Sequence, residues 1–278
     1  ILSAYQPRAA AVVAGEPVAP ARWDLARAIV RREFVVFLQP KVDLSSGEVM
    51  GAEALARLMH PTRGILPPSG FVPAAEAEGL VEPLTLALIE DACAAMSGWP
   101  AAMSTLTVSI NVSHTSLADT GFAGQLLGVL SKYGLPAHRL IIEVTETVAM
   151  TQLAPCLETL TRLRMHGTGL SIDDFGTGHA SFQQLSRVPF TELKIDRSFV
   201  SGAGRDPVRR TFLESSLQIA GDLRLNSVAE GVETLEDWEL LRQLGCDAAQ
   251  GFFIARPMEA ARFPEWVERW RMNRGRPF

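Results

Sequence analysis

The chain has 278 residues, 47% hydrophobic and 21% charged, with a net charge of −5 and a pI near 5.6. That length suits one barrel-type domain of about 250 residues or two small domains, and the acidic balance argues against nucleic-acid binding by bulk charge. Three cysteines without metal-ligand spacing argue against a disulfide scaffold and for a reducing cytoplasm. No apolar run reaches the length of a membrane span and no signal peptide is visible, so direct membrane insertion is not expected.

Residues 1–21, rich in Ala, Val and Pro, read as a linker or N-terminal arm, and residues 22–278 as one folded domain. The chain begins at Ile1, which leaves room for an upstream sensory or regulatory domain. "RWDLARAIVRREF" reads as a short amphipathic helix. "FVVFLQPKVDL", a turn at "SSGE" and "VMGAEALARL" predict two strands in a hairpin. Pro83 to Met96 predicts a buried helix.

From there the pattern alternates. Strands are predicted near Leu106–Ile110, Leu140–Val144, Gly169–Ile172, Glu192–Ile195, Leu225–Ala229 and Ala248–Gln250. Helices are predicted around Gly121–Lys132, Leu153–Met165, Ser181–Leu185, Val208–Leu223, Leu235–Leu244 and Ala260–Arg271. Such alternation implies parallel strands with crossover helices. The expected fold is α/β, a modified TIM (β/α)8 barrel with an antiparallel first strand, with an open doubly wound sheet as the alternative. The basic tail Arg269, Arg271, Arg274 and Arg276 reads as a solvated last turn.

Five acids and one amide stand just past the short apolar runs: Glu53, Asn111, Glu143, Asp173, Asp174 and Glu230. In a parallel barrel the carboxyl ends of the strands converge on one face. Carboxylates gathered there require counter-charge. Carboxylate and amide oxygens are the ligand set of hard cations such as Mg²⁺ or Mn²⁺. Adjacent strand residues point opposite ways, so Asp173 and Asp174 can share one centre only if their strand has ended. Each residue also has a plainer local reading. Asp174 and Asn111 could be helix N-caps, Glu53 and Arg57 a surface ion pair, and Glu143 and Glu146 solvated acids at a turn. Lys194 could be a snorkelling edge residue. The five histidines show no ligand spacing.

The segments "QPKVDLSSGEVMGAEALARLMHP", "PPSGFVPAAEAEGLV", "INVS", "EVTET", "DDFGTGHASFQQL", "LKIDRSFV", "AEGVET" and "QGFFIARP" occur in this order from Phe34 to Pro257. Together they resemble the EAL-domain phosphodiesterases, which hydrolyse cyclic di-GMP. The resemblance implies that Glu53, Asn111, Glu143 and Asp173 hold one metal, and that Asp173, Asp174 and Glu230 hold a second. It implies that Lys194 stands close to the attacking water, with Asp173 and Glu230 also catalytic. Gln39 and Gln250 would line the site, and Arg57 would contact substrate. Pro257, closing the last motif, joins the substrate side. Glu146 would steady the loop after "DDFG", and Glu233 is a nearby acid without a fixed role. Met59, His179 and Thr191 stand where the family more often has tryptophan, an aromatic and aspartate.

The implied activity is hydrolysis of cyclic di-GMP to linear pGpG, with two Mg²⁺ or Mn²⁺ per site and Ca²⁺ inhibitory. Five ionised acids are close to balance with a phosphodiester only when two divalent ions are present. The alternative is a receptor that binds cyclic di-GMP without cleaving it; another phosphoesterase is a third reading. A homodimer is expected, because the loop after "DDFG" lies near a dimer interface in the family.

Overall fold

The computed structural model describes residues 24–146, 153–176 and 188–273. The arm at 1–21 and the short helix expected around Ser181–Leu185 lie outside them.

Ten strands are present among the described residues: β1 (Phe34–Asp43), β2 (Val49–His60), β3 (Gly64–Leu66), β4 (Thr107–Asn111), β5 (Leu140–Thr145), β6 (Gly169–Phe175), β7 (Glu192–Ile195), β8 (Asn226–Ala229), β9 (Ala248–Ala249) and β10 (Met258–Glu259). The helices are α1 (Leu25–Val30), α2 (Val72–Ala77), α3 (Val81–Ser97), α4 (His114–Ala118), α5 (Phe122–Lys132), α6 (Leu153–Met165), α7 (Arg197–Val200), α8 (Pro207–Leu223), α9 (Leu235–Gln243) and α10 (Phe263–Met272).

The sheet closes on itself. Strands β2, β4, β5, β6, β7, β8 and β9 pair in parallel in that order. Strand β1 closes the ring, antiparallel to both β2 and β9. This is an eight-stranded barrel with an inverted first strand, and closure through β1 excludes the open doubly wound sheet. β3 and β10 extend it from β2 and β1.

Local chemistry explains the element ends. Asp206 caps α8, its carboxylate accepting from Val208 N and Arg209 N, and Pro207 fills the first helical position. Thr234 caps α9 by accepting from Asp237 N. Ser113 caps α4, accepting from Ser116 N, so the cap expected of Asn111 falls two residues later. Thr191 takes a structural role: its hydroxyl accepts from Leu170 N and donates to Leu170 O, both at 3.0 Å, tying β6 to the entry of β7. The last helix begins as a 3-10 turn, Ala260–Arg262, before α10.

The apolar core lies between the barrel wall and the helices. Ile142 and Val144 of β5, Leu170 and Ile172 of β6 and Leu193 and Ile195 of β7 are all buried in it. Alternate residues on the same strands face the lumen. The wall of the barrel is therefore apolar outward and polar inward near its carboxyl end, and that inward face holds the candidate site.

Candidate functional site

Register brings the inward residues together. Gln39 of β1 lies opposite Glu53 of β2, and Asn111 of β4 opposite Glu143 of β5. Asp173 is reached from β5 through Thr145. Glu230 and Gln250 follow the ends of β8 and β9 directly.

Lys194 of β7 stands at the centre. It is fully buried, and its Nζ donates to Glu143 Oε2 at 2.9 Å. The same atom lies 2.6 Å from Glu230 Oε1, 3.0 Å from Asp173 Oδ1 and 3.6 Å from Glu53 Oε2. It is thus no snorkelling edge residue. An amide ring surrounds this centre. Asn111 Nδ2 donates to Glu53 Oε1 and Glu143 Oε2, both at 3.0 Å. Gln250 Nε2 donates to Glu53 Oε2 at 2.6 Å and Gln39 Oε1 at 3.1 Å. Gln39 Nε2 donates to the Ala255 carbonyl at 3.1 Å.

Asp173 and Asp174 meet the site in a way the sequence reading did not anticipate. Strand β6 does not end before them; it runs to Phe175. Its register with β7 shifts between Ile172 and Phe175, and Asp174 adopts a left-handed φ of 57°. A bulge with a left-handed residue turns the second side chain back toward the side of the first. Asp tolerates that conformation better than most residues. As a result carboxylate oxygens of Asp173, Asp174 and Glu230 lie within 4.8 Å of one another.

Arg57 is not in a surface ion pair. Its Nη1 donates to the Ala56 carbonyl at 2.8 Å, and its guanidinium lies 5.5 Å from the Phe37 ring centre. Burial lowers its pKa and the Glu53 charge opposes that shift. Glu146 follows β5 and is buried; its Oε2 accepts from Gly176 N at 2.9 Å. Gly176 has a φ of 99°, and a Cβ there would come within 2.8 Å of the Phe199 ring. Thr177, the other partner expected for Glu146, lies outside the described residues. Glu233 is exposed and pairs with Arg197 at 2.8 Å. Pro257 is half-buried, two residues past the Ala255 carbonyl that holds Gln39.

One residue was missed. Asp196 caps α7 by accepting from Ser198 N, and its charge bears on Asp174. The available signal was the same as for the others, an acid just past an apolar strand in "LKID".

Crowding sets the proton affinities. Burial pushes Glu143 up to about 7; the Glu53 charge adds to this, while Lys194 and Lys41 oppose it. Asp174 is also pushed up to about 7, by burial and then by Asp173 and Asp196. Burial raises Asp173 and lifts Glu230 well above the usual range, against the pull of Lys194. Burial alone would lower Lys194, but Asp173, Glu143, Glu230 and Glu53 together hold it well above its ordinary value.

The donor set fits a hard cation. Glu143 Oε1 and Asp173 Oδ2 are buried and have no hydrogen-bond partner among the described residues. Orphaned buried carboxylate oxygens are costly, and oxygen-seeking divalent ions satisfy such atoms.

The EAL domain family model matches residues 22–257. The chain belongs to the EAL domain family. It is 38% identical over 238 residues to the bifunctional diguanylate cyclase/cyclic di-GMP phosphodiesterase MucR of Pseudomonas aeruginosa, covering 85% of this chain and 35% of that protein. It is 36% identical over 247 residues to the cyclic di-GMP phosphodiesterase RocR of the same organism, covering 89% of this chain and 63% of RocR. The chain thus spans about a third of MucR and less than two thirds of RocR. A solved structure of the PaMucR phosphodiesterase in complex with c-di-GMP superposes with a TM-score of 0.82 at 37% identity, covering 86% of this chain and 98% of that one. Among the described residues of this EAL domain, no helix is long and apolar enough to cross a membrane.

The raised carboxyls give a pH dependence. Glu143 and Asp174 move from ordinary values of 4.5 and 3.8 up to about 7 on folding without metal. Between those limits the native state binds more protons than the unfolded state, so stability falls as pH rises from about 4 to about 7. A divalent ion held by these carboxyls would have to displace their protons. The melting temperature of chelator-treated protein should fall across that window, and the gain on adding Mg²⁺ should be larger near pH 8 than near pH 5.5. Differential scanning fluorimetry checks both; a Mg²⁺ gain that shrinks as pH rises would contradict the assignment.

Proposed function

We propose that this EAL domain hydrolyses cyclic di-GMP to linear pGpG in a reaction that requires Mg²⁺ or Mn²⁺. The observation that carries the reading is the Lys194-centred ring: four carboxylates surround one buried ammonium, and two of their oxygens have no hydrogen-bond partner among the described residues. Similarity to MucR and RocR supports the choice of substrate.

In this reading Glu53, Asn111, Glu143 and Asp173 hold one divalent ion, and Asp173, Asp174 and Glu230 hold the second. When bound, the two ions supply charge for the scissile phosphate and acidify a water at neutral pH. The chain's own groups do the positioning. Lys194 fixes the oxygens of Glu143, Asp173 and Glu230 with its three N–H donors, and through Glu230 it positions the attacking water. Gln250 and Gln39 hold Glu53 in place through their amides. Arg57 offers its remaining guanidinium donors to a phosphate oxygen. The water oxygen bonds to phosphorus as the bond to one 3′ oxygen breaks, and that oxygen takes up a proton, leaving a 3′ hydroxyl and a linear dinucleotide with a 5′ phosphate.

A receptor that binds cyclic di-GMP without cleaving it is the reading this proposal displaces. All six residues of the proposed ligand set are present in this chain, and a binding-only role needs no such set. The proposal also includes a cytoplasmic setting, a homodimer, and control by a sensory or regulatory segment acting on the loop after Gly176.

Product analysis tests the reading. Cyclic di-GMP incubated with the protein and Mg²⁺ should yield pGpG, and excess chelator should stop the reaction. Binding without pGpG would establish the receptor instead. Glu53→Ala should lower turnover by about a thousandfold or more, since it removes a ligand from a site with strict geometry. Ca²⁺ should occupy the site yet support little hydrolysis, because its longer, looser coordination misplaces the water. Equal rates in Ca²⁺ and Mg²⁺ would count against the mechanism.

Arg57→Ala should raise KM and lower kcat/KM by about ten- to a hundredfold, the loss of one charge-assisted phosphate contact. Unchanged steady-state kinetics would return Arg57 to a structural role. Glu146→Ala frees the Gly176 amide and should cut activity and raise the Mg²⁺ midpoint while circular dichroism stays native. Full activity with an unchanged midpoint would rule out the loop as a control element.

A further inference from the structure

A second layer of charge lies in the barrel lumen beneath the site. Lys41 of β1 and Glu192 of β7 meet there, with Nζ at 3.0 and 3.1 Å from Oε1 and Oε2. They are 2% and 5% exposed. In the barrel wall β8 and β9 separate β1 from β7 on the shorter way round, so the contact spans the lumen and is not a neighbouring-strand ladder. The two-residue period of a strand explains the placement. Lys41 follows Gln39 by two residues, and Glu192 precedes Lys194 by two, so both side chains enter the lumen one layer below the site. The pair also lines a cavity of about 320 Å³, whose other walls are mostly apolar, among them Val49, Leu106 and Ile141, with Thr107 and Asn226 among the polar members.

None of the proposed chemistry uses this pair. Stability is a weak reason for it, because a well-packed apolar substitute for a buried ion pair is often as stable. Electrostatics gives a stronger reason. The Lys41 charge reaches Glu143, acting there in the same direction as Lys194. Without Glu192, Lys41 would face only the carboxylates above it, whose charge favours its protonated form, and it would stand as an added cation under the proposed metal site.

We propose that Glu192 is a positioning residue for metal binding: it anchors and neutralises Lys41, so that the floor of the barrel does not repel the metals above it. The proposal rests on the metal-dependent reading of the site. It makes the two members of the pair act with opposite sign. Removing the acid leaves an extra positive charge below the site, and removing the lysine leaves an extra negative one.

Calorimetric titration of Mg²⁺ into the metal-free full chain at low ionic strength separates the cases. Glu192→Gln should weaken Mg²⁺ binding by about fivefold or more, and Lys41→Gln should tighten it, as Coulomb interactions over the depth of one or two side-chain layers require. The double variant Lys41→Gln/Glu192→Gln should return to within about twofold of wild type. Glu192→Asp, which keeps the charge, should also stay near wild type. A purely structural pair would give shifts of the same sign in both single variants, or melting-temperature losses with no change in Mg²⁺ affinity; either result overturns the proposal. If Glu192→Gln does not fold, the Lys41→Gln and double variants still decide the sign. A wild-type protein that binds no Mg²⁺ would instead overturn the metal reading, and this inference with it.

Discussion

The carboxyl end of this barrel depends on one buried ammonium. Lys194 is wholly enclosed and touches Glu143, Asp173 and Glu230, with Glu53 slightly farther away. A lone cation at that depth would be driven to lose its proton, and the acids around it could not all remain charged without it. Each side makes the other tolerable. The compensation is incomplete, because five carboxylates face one lysine. The deficit appears as the upward shifts of Glu143, Asp173, Asp174 and Glu230. In the proposed reading, two divalent ions fill that deficit and the protons leave.

Positioning comes from the wall. Lumen-facing residues at the same height on neighbouring strands become neighbours, so Gln39 meets Glu53 and Asn111 meets Glu143 by register alone. Where register cannot deliver two adjacent residues to one centre, the backbone changes. The bulge in β6 and the left-handed Asp174 place a third carboxylate beside Asp173 and Glu230. Gly231 serves a similar end after Glu230: its φ is 64°, and a Cβ there would lie 2.3 Å from Arg197 Cγ. The strand end can therefore turn sharply while Arg197 packs across it and reaches Glu233.

Much of this was legible in the sequence, for a physical reason. Short apolar runs alternating with amphipathic segments define a parallel barrel, and acids just past those runs must share its carboxyl face. That rule brought Glu53, Glu143, Asp173, Asp174 and Glu230, with the amide of Asn111, to one face, but only Glu230 stands past its strand; the other five lie within theirs. What stayed hidden depends on features with no one-dimensional signature. The bulge at Asp174 is a backbone conformation, and "SIDDF" alone reads as a strand that stops. Asp196 stands past an apolar run like the others, but the reading of "LKID" stopped at Lys194. The Lys41–Glu192 pair joins residues 151 positions apart, and nothing local to either residue points to the other. Thr191 looked like a departure from the family pattern, yet its hydroxyl bonds both ways to Leu170.

The central claim is that the acids around Lys194 form a two-ion site. Anomalous scattering from crystals of the protein grown with Mn²⁺ and cyclic di-GMP tests it most directly. The account predicts two anomalous peaks, one among Glu53, Asn111, Glu143 and Asp173 and the other among Asp173, Asp174 and Glu230. A site with no peak in saturating Mn²⁺, or with manganese bound only elsewhere, would contradict it.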